Sequence, residues 1–304
     1  MMIMKRLKHH EYSGRVDDEN KPERLHQVVK QWSEDAERDR PAFIGFCSDE
    51  GVHRNKGRPG AKEGPYKVRE KLASLPYMDT VYDYGSIAGE QDLEGSQEAL
   101  GECVAEVFAT GQFPLIVGGG HETLYGHYLG VRRQYPDAKV AVVNLDAHFD
   151  MRGEEPSSGT MFHQILTEDE NIDYFVFGIQ LGGNTKTLFD TADAFGVKYA
   201  LIEDVRNTGI FEESLESLDA YDVVFATLCM DSVQQGAAPG TSAPSPNGFT
   251  ASEVHDMVGS LAKLPNIVSF DISEVAPRLD IDDRTSGLAA SLFHRFMIEK
   301  ETFR

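Results

Sequence analysis

The chain reads as an α/β protein whose mostly parallel sheet is covered by helices on both faces. Short apolar runs rich in β-branched and aromatic residues recur along it, and stretches of helical character lie between most of them. No internal repeat and no low-complexity linker divides the chain, so one domain over residues 1–304 is expected, with 1–40 as an N-terminal extension and helix packed on it.

The expected strands are AFIGFC (42–47), TVYDYG (80–85), FPLIVGG (113–119), KVAVVNL (139–145), DYFVFGI (173–179), KYALI (198–202), DVVFATL (222–228) and NIVSFDI (266–272). Among the helices, 22–40 is polar and helix-prone, and 96–111 repeats apolar residues at helical spacing before stopping at Gly111. Thr250 opens a capping box, TASE, for a helix through about Leu264. Parallel strands deliver functional residues to the loops after their carboxyl ends. Two Gly/Pro-rich stretches, 51–65 and 236–248, adjoin such ends and read as long loops.

Composition narrows the function classes. With 304 residues, 40% of them hydrophobic, a sizeable core is possible. No window approaches the roughly 18 apolar residues of a membrane span, and MMIMKRLKHHEY breaks into charge early, which predicts a cytoplasmic protein without a membrane partner. Cys47, Cys103 and Cys229 lie far apart, and reduced thiols are expected. Asp and Glu outnumber Lys and Arg by 50 to 29, a formal charge of −21, which argues against nucleic acid and leaves a small molecule as the expected partner.

The strongest local signal is Asp146-Ala-His148-Phe-Asp150, directly after an expected strand. If the segment is extended, side chains two apart share one side, so three potential ligands converge. Carboxylate and imidazole suit hard to borderline divalent ions such as manganese. Taken alone, the pattern is equally a solvated strand end with a salt-bridged histidine. Two further strand ends shift the balance: GGGHE places His121 after 113–119, and LCMD places Cys229 and Asp231 after 222–228. Three adjacent strand ends would then supply donors enough for two ions. So acidic a cluster is costly without a cation, because like charges raise each other's pKa. The glycines before His121 do not make a nucleotide loop, since position 123 is Thr and no Gly-Lys-Ser/Thr ending follows. They are expected to let the backbone turn tightly beneath His121.

These motifs, in this order, resemble the arginase/agmatinase/formiminoglutamase family, the ureohydrolases. GGGHE looks like the family's GGxHD, NLDAHFDMR like its DAHxD, TLCMD…AAPG like its SxDxD…APG, and SFDISEVAP like its final E-x-x-P segment. The resemblance runs from about Ala42 to Leu292. It implies a three-layer α/β/α fold with an eight-stranded, mostly parallel sheet, two Mn2+ per subunit, and assembly into homo-trimers or hexamers. Within the family, GVHRNKGRPGAKEGP, DAHFDMR, SSGTMFHQIL and APGTSAPSPNG are most similar to formiminoglutamases, enzymes of histidine degradation. That branch implies hydrolysis of N-formimino-L-glutamate to L-glutamate and formamide by a hydroxide held between the metals. The alternatives are a sister enzyme acting on arginine, agmatine or another guanidino compound, and a catalytically silent metal-binding relative.

Carried over by position, the resemblance assigns His121, Asp146, His148, Asp150, Cys229 and Asp231 to the metals, with Asp146 and Cys229 bridging. Glu274 would face the formimino nitrogen, and Asp150 would relay the proton to the leaving amine. Cys229 stands where arginases have aspartate, and Glu122 replaces the usual aspartate after the histidine. Ser158 replaces a histidine that shuttles protons in arginases and agmatinases, which leaves nearby His163 as the candidate for that role. For the substrate carboxylates, the basic loop with Arg54, Asn55, Lys56 and Arg58 is the expected partner, with Arg284 as a second possibility.

Overall fold

The computed structural model describes residues 6–7, 9–89 and 92–302. Among them the strands are β1 (Arg6–Leu7), β2 (Val29–Gln31), β3 (Pro41–Cys47), β4 (Val81–Ala88), β5 (Phe113–Val117), β6 (Val140–Leu145), β7 (Ile172–Ile179), β8 (Lys198–Leu201), β9 (Val223–Cys229) and β10 (Ile267–Ser273). The helices are α1 (Leu25–Val28), α2 (Glu50–Arg54), α3 (Gly64–Ala73), α4 (Leu93–Ala109), α5 (Thr123–Gln134), α6 (Met161–Glu168), α7 (Lys186–Ala194), α8 (Ile202–Thr208), α9 (Ile210–Ser217), α10 (Ala251–Ala262) and α11 (Arg284–Thr302).

The strands form one sheet in the order β1-β4-β3-β5-β10-β9-β6-β7-β8, with β2 also beside β4. From β4 to β8 every neighbour pair is parallel, and only β1 runs antiparallel. The eight expected strands are β3 to β10. The two additional ones, β1 and β2, are too short to leave a periodic signal. In β3, β5, β6 and β9 every residue is buried, as parallel strands covered on both faces require.

Alternation within those strands builds two cores. Leu115, Val143, Phe177, Ala226 and Phe270 face one layer, where Val68 and Leu72 of α3, Val258 of α10 and Phe293 of α11 cover them. Ile116, Val142, Val176 and Phe225 face the other, under Val104 of α4, Leu124 of α5 and Ile165 of α6. The result is the three-layer α/β/α sandwich. No helix among the described residues is long and apolar enough to cross a membrane.

Local signals set most boundaries. Thr250 accepts from the Glu253 amide at 3.1 Å while Glu253 accepts from the Thr250 amide at 2.6 Å, so the capping box opens α10 as expected. Asp92 caps α4, and Gly111 takes the left-handed φ of +77° that ends the segment after it. The expected helix over 22–40 does not form: it is one turn, α1, followed by β2. There the backbone finds a sheet partner, Val29–Gln31 pairing in parallel with Val81–Asp83, and the segment offers no apolar stripe to hold a longer helix. The stretch 51–65 is not one loop either, since α2, a 3-10 turn at Ala61–Glu63 and the start of α3 lie within it.

Arg69 of α3 fastens this edge of the sheet. Fully buried, it donates to Asp83 Oδ1, the Gly85 carbonyl and Ser86 Oγ, each at 2.9 Å. Asp83 also accepts from the Tyr12 hydroxyl at 2.8 Å, which ties in the segment before α1. Arg69→Met leaves the Asp83 carboxylate buried without its counter-charge, a loss of about 3–5 kcal/mol. Urea titration of the variant is expected to show a markedly lower midpoint, and an unchanged midpoint would contradict the assignment.

Candidate metal centre and substrate cavity

The sheet order places β5, β10, β9 and β6 side by side, so the loops after four strands meet at its centre. The expected three adjacent strand ends are thus corrected: β10, carrying Glu274, lies between the His121 and Cys229 strands. Strand order is a tertiary property that chain order does not reveal.

Beneath His121 the three glycines serve close approach rather than unusual torsions. A Cβ on Gly119 would sit 1.8 Å from the Ser48 carbonyl oxygen, and one on Gly118 would sit 2.3 Å from Ser273 Oγ. None of the three has a positive φ.

The 146–150 segment is not extended, so the two-residue rule does not bring its side chains together. Asp146 Oδ1 instead accepts from the His148 amide at 2.8 Å, closing a tight turn, and Asp150 adopts a left-handed φ of +50°. Asn184, from the loop after β7, pins this turn by accepting from the Phe149 amide at 3.0 Å and donating to the Ala147 carbonyl at 2.9 Å. Cys229 ends β9, and Asp231 follows in a 3-10 turn. Glu274 is held at φ +67°. Such backbone strain persists only where surrounding contacts over-determine it, and it gathers at functional sites.

Two donor groups result. His121, Asp146 and Cys229 place one ligand atom each within 4.8 Å of one another, and so do Asp146, His148 and Asp231. Asp146 belongs to both. His121 Nδ1 lies 3.1 Å from Asp146 Oδ2 and 2.9 Å from Asp150 Oδ2, while His148 Nδ1 lies 3.2 Å from Asp231 Oδ2. Asp150 borders the first group without belonging to either. Glu274 Oε1 accepts from the His121 amide at 3.1 Å.

The electrostatics are those of a site built around cations. Burial opposes charge on His121, yet the Asp146 and Asp150 carboxylates outweigh it and hold the imidazole well above its ordinary range. His148 is raised likewise, against burial, by Asp231 and Asp146. Burial, reinforced by Asp146, pushes Asp150 up, and burial with the charges of Asp146 and Asp231 pushes the Cys229 thiol up. Asp231 Oδ1 and Glu274 Oε2 are buried without a hydrogen-bond partner among the described residues. Orphaned carboxylate oxygens beside imidazole and thiol donors fit two divalent cations.

Above the donors lies a cavity of about 360 Å³. His121, His148, Asp150, Cys229, Asp231 and Glu274 line its floor, and Asn55, Lys56, Arg58 and Arg152 reach it from the sides. Asp146 is buried beneath. Arg54 does not line the cavity, because Glu50 and Glu94 hold its guanidinium elsewhere. His163 does not line it either: its ring packs edge-on against Phe195, with centroids 5.4 Å apart. Arg284 is also absent from the lining, and its nearest carboxylate is Asp282 at 3.9 Å. Ser158 does line the cavity, accepting from Asn55 at 3.2 Å.

Arg152 and Asn184 escaped sequence reasoning. Arg152 follows the DAHFD motif directly and donates to Asn55 Oδ1, so its position beside the ligands was the available signal. Asn184 acts through a turn that no local pattern announces. Glu122, fully buried, accepts from the Gly51 amide at 2.9 Å and Ser48 Oγ at 3.2 Å, which joins α2 to the His121 loop.

A three-layer fold with this donor cluster over its central strand ends defines a metal-dependent hydrolase. The arginase family pattern matches residues 39–299, and the chain belongs to the arginase family. It is 43% identical over 298 residues to a formimidoylglutamase of Lysinibacillus sphaericus, covering 92% of each chain. To a formimidoylglutamase of Geobacillus kaustophilus it is 42% identical over 299 residues, again 92% of each. The structure superposes on Bacillus subtilis formimidoylglutamase with a TM-score of 0.87 at 24% identity, covering 96% of each chain. Trypanosoma cruzi formiminoglutamase with Mn2+2 gives 0.84 at 28% identity, covering 93% of this chain and 100% of that one.

Protonation of this centre has a measurable consequence. Burial pushes the Glu122 carboxyl up to about 7, and burial with the charges of Asp231 and Glu122 pushes Glu274 up to about 8, both from an ordinary 4.5. Without metal, the folded chain thus binds these protons more tightly than the unfolded chain. That stabilisation is full below about pH 4.5 and is lost as pH rises through about 7 and 8. His121 and His148 act in the same direction. Asp146, held below its ordinary range despite burial by hydrogen bonds from His121 and His148, acts oppositely but only in acid. Metal-stripped protein is expected to melt at a lower temperature at about pH 8.5 than at about pH 5.5 in calorimetry at fixed salt. The reverse order would contradict this account of the site.

Proposed function

We propose that the chain hydrolyses N-formimino-L-glutamate to L-glutamate and formamide. The observation that carries this reading is a charge pattern. In a chain of formal charge −21, Lys56, Arg58 and Arg152 line the cavity, and none forms an ion pair with a carboxylate among the described residues. Unneutralised cations above an acidic floor suit a substrate with an anionic end outward and a cationic amidine inward. The names of the relatives agree with that reading.

His121, Asp146, Cys229, His148, Asp231 and Asp150 would hold two Mn2+, with Asp146 shared between them. When bound, the ions acidify water from a pKa of about 16 toward about 7 and so supply a hydroxide nucleophile at neutral pH. The oxygen ends in formamide, and the bond from the formimino carbon to the glutamate nitrogen breaks. Glu274, fixed by the His121 amide and with Oε2 otherwise unpartnered, orients the formimino N–H groups. Asp150, on the cavity floor, accepts a proton from the nucleophile and delivers it to the leaving amine. His163 has no place in this scheme. Arg152 and Asn55, already hydrogen-bonded to each other, together with Lys56 and Arg58, receive the glutamate carboxylates. The same reading carries a cytoplasmic homo-oligomer, trimer or hexamer, and a single catalytic domain.

The deciding experiment strips the protein of metal and assays formiminoglutamate, arginine and agmatine before and after Mn2+ is added. Manganese-restored formamide release from formiminoglutamate alone is expected. Urea release would favour a guanidino substrate, and metal uptake without turnover would favour a silent relative. Arg152→Gln removes a charged hydrogen-bond donor worth about 2 kcal/mol, roughly 30-fold in kcat/KM. The loss is expected in KM, with kcat nearly unchanged, because the contact is equally present in ground and transition states. Equal loss in kcat would place Arg152 in the chemistry instead.

A further inference from the structure

Behind His121 a chain of hydrogen bonds runs away from the cavity. His121 Nε2 lies 3.1 Å from Thr227 Oγ1, and the Thr227 hydroxyl donates to Asp271 Oδ1 at 2.8 Å. Ser273 Oγ donates to the same oxygen at 3.1 Å. His127 Nδ1 lies 2.7 Å from Asp271 Oδ2, and its Nε2 lies 2.6 Å from Ser269 Oγ. Every member is 0–1% exposed. Thr227 and Asp271 are cross-strand partners on β9 and β10, and His127 comes from α5 in the layer above. None of Thr227, Asp271, His127 or Ser269 lines the cavity.

The direction of these bonds follows from donor arithmetic. An ionised carboxylate only accepts, so Asp271 takes the single proton of the Thr227 hydroxyl and the Nδ1 proton of His127. Thr227 Oγ1, its proton spent, has only lone pairs left for His121. His121 therefore carries a proton on Nε2, and in the neutral ring Nδ1 is bare. Nδ1 is the atom that lies 3.1 Å from Asp146 Oδ2, and Asp146 belongs to both donor groups. A ring flipped to the other tautomer would present Nε2 as an acceptor to a hydroxyl whose only proton is already donated to Asp271.

We propose that Thr227 and Asp271, backed by His127, are positioning residues that fix the His121 tautomer and keep Nδ1 available as a metal donor. The proposal rests on the two-metal reading above. Partners that orient a ligating histidine in this way typically account for 10–100-fold in metal affinity.

The test is a calorimetric Mn2+ titration of metal-stripped protein, with electron paramagnetic resonance of the manganese as a second readout. Thr227→Val keeps the side-chain shape but loses the acceptor. It is expected to weaken one of the two Mn2+ equivalents roughly 10–100-fold and leave the other near wild type, with loss of the spin-coupled pair signal at limiting metal. Thr227→Ser restores the acceptor and is expected to restore both equivalents. A Thr227→Val protein that binds both ions as wild type does would overturn the proposal. Should that variant not fold, Asp271→Asn decides by the same titration: its amide must turn a donor toward Thr227, Ser273 or His127, and wild-type binding of both ions would equally overturn it. Failure of the wild type to bind two ions would refute the two-metal reading itself, a result distinct from any variant effect.

Discussion

The structure depends on a repulsion. Asp146, Asp150, Asp231 and Glu274 converge in a buried space with one thiol and two imidazoles, and carboxylates so placed cannot all be charged unless positive charge joins them. Without metal the cluster favours protons, with His121 and His148 held above the ordinary imidazole range and Glu274 above the ordinary carboxyl range. Cations supply the positive charge better, because each can meet several donors at once. The strained backbone at Asp150 and Glu274, the Asn184 clamp and the glycine crossing beneath His121 all serve to hold groups together that would otherwise separate.

Around this floor the charge changes sign. Arg58 donates to the Ser242 and Thr241 carbonyls at 2.9 and 2.8 Å, which fastens the segment after α2 to the loop after β9 and sets a cationic rim over the acidic donors. Glu122, one residue from His121, anchors α2, which leads into that segment, through the Gly51 amide. Rim and floor are therefore mechanically joined. An aspartate at 122 would be one methylene shorter, so the glutamate gives the reach that this junction uses.

Much of the fold and the donor set was legible in sequence because both are written in short-range patterns. The eight strands of the parallel sheet are continuous apolar runs, and the donors follow three of them within a few residues. What escaped reading depends on contacts between distant segments. The 22–40 stretch has helix-prone composition, but pairing with β4 overrides it. His163 is near the site in sequence, yet its ring packs against Phe195 of a separate segment and does not line the cavity. Arg54 looked equivalent to its neighbours until Glu94 captured it. The Thr227–Asp271 pair needed the strand order before any role could be seen.

That strand order also bears on how the molecule is made. The last strand in the chain, β10, does not join an edge but inserts between β5 and β9. It brings Glu274 to His121 across 153 residues of sequence, and it brings Asp271 to Thr227. A nascent chain emerges amino end first, so throughout most of its synthesis the sheet has a gap at its middle. During that time His121 lacks the partners that orient it, and its strand is not yet bridged to those of Asp146 and Cys229. Completion of the His121 donor group is thereby deferred until the polypeptide is nearly whole, whereas Asp146, His148 and Asp231 need only the pairing of β6 with β9.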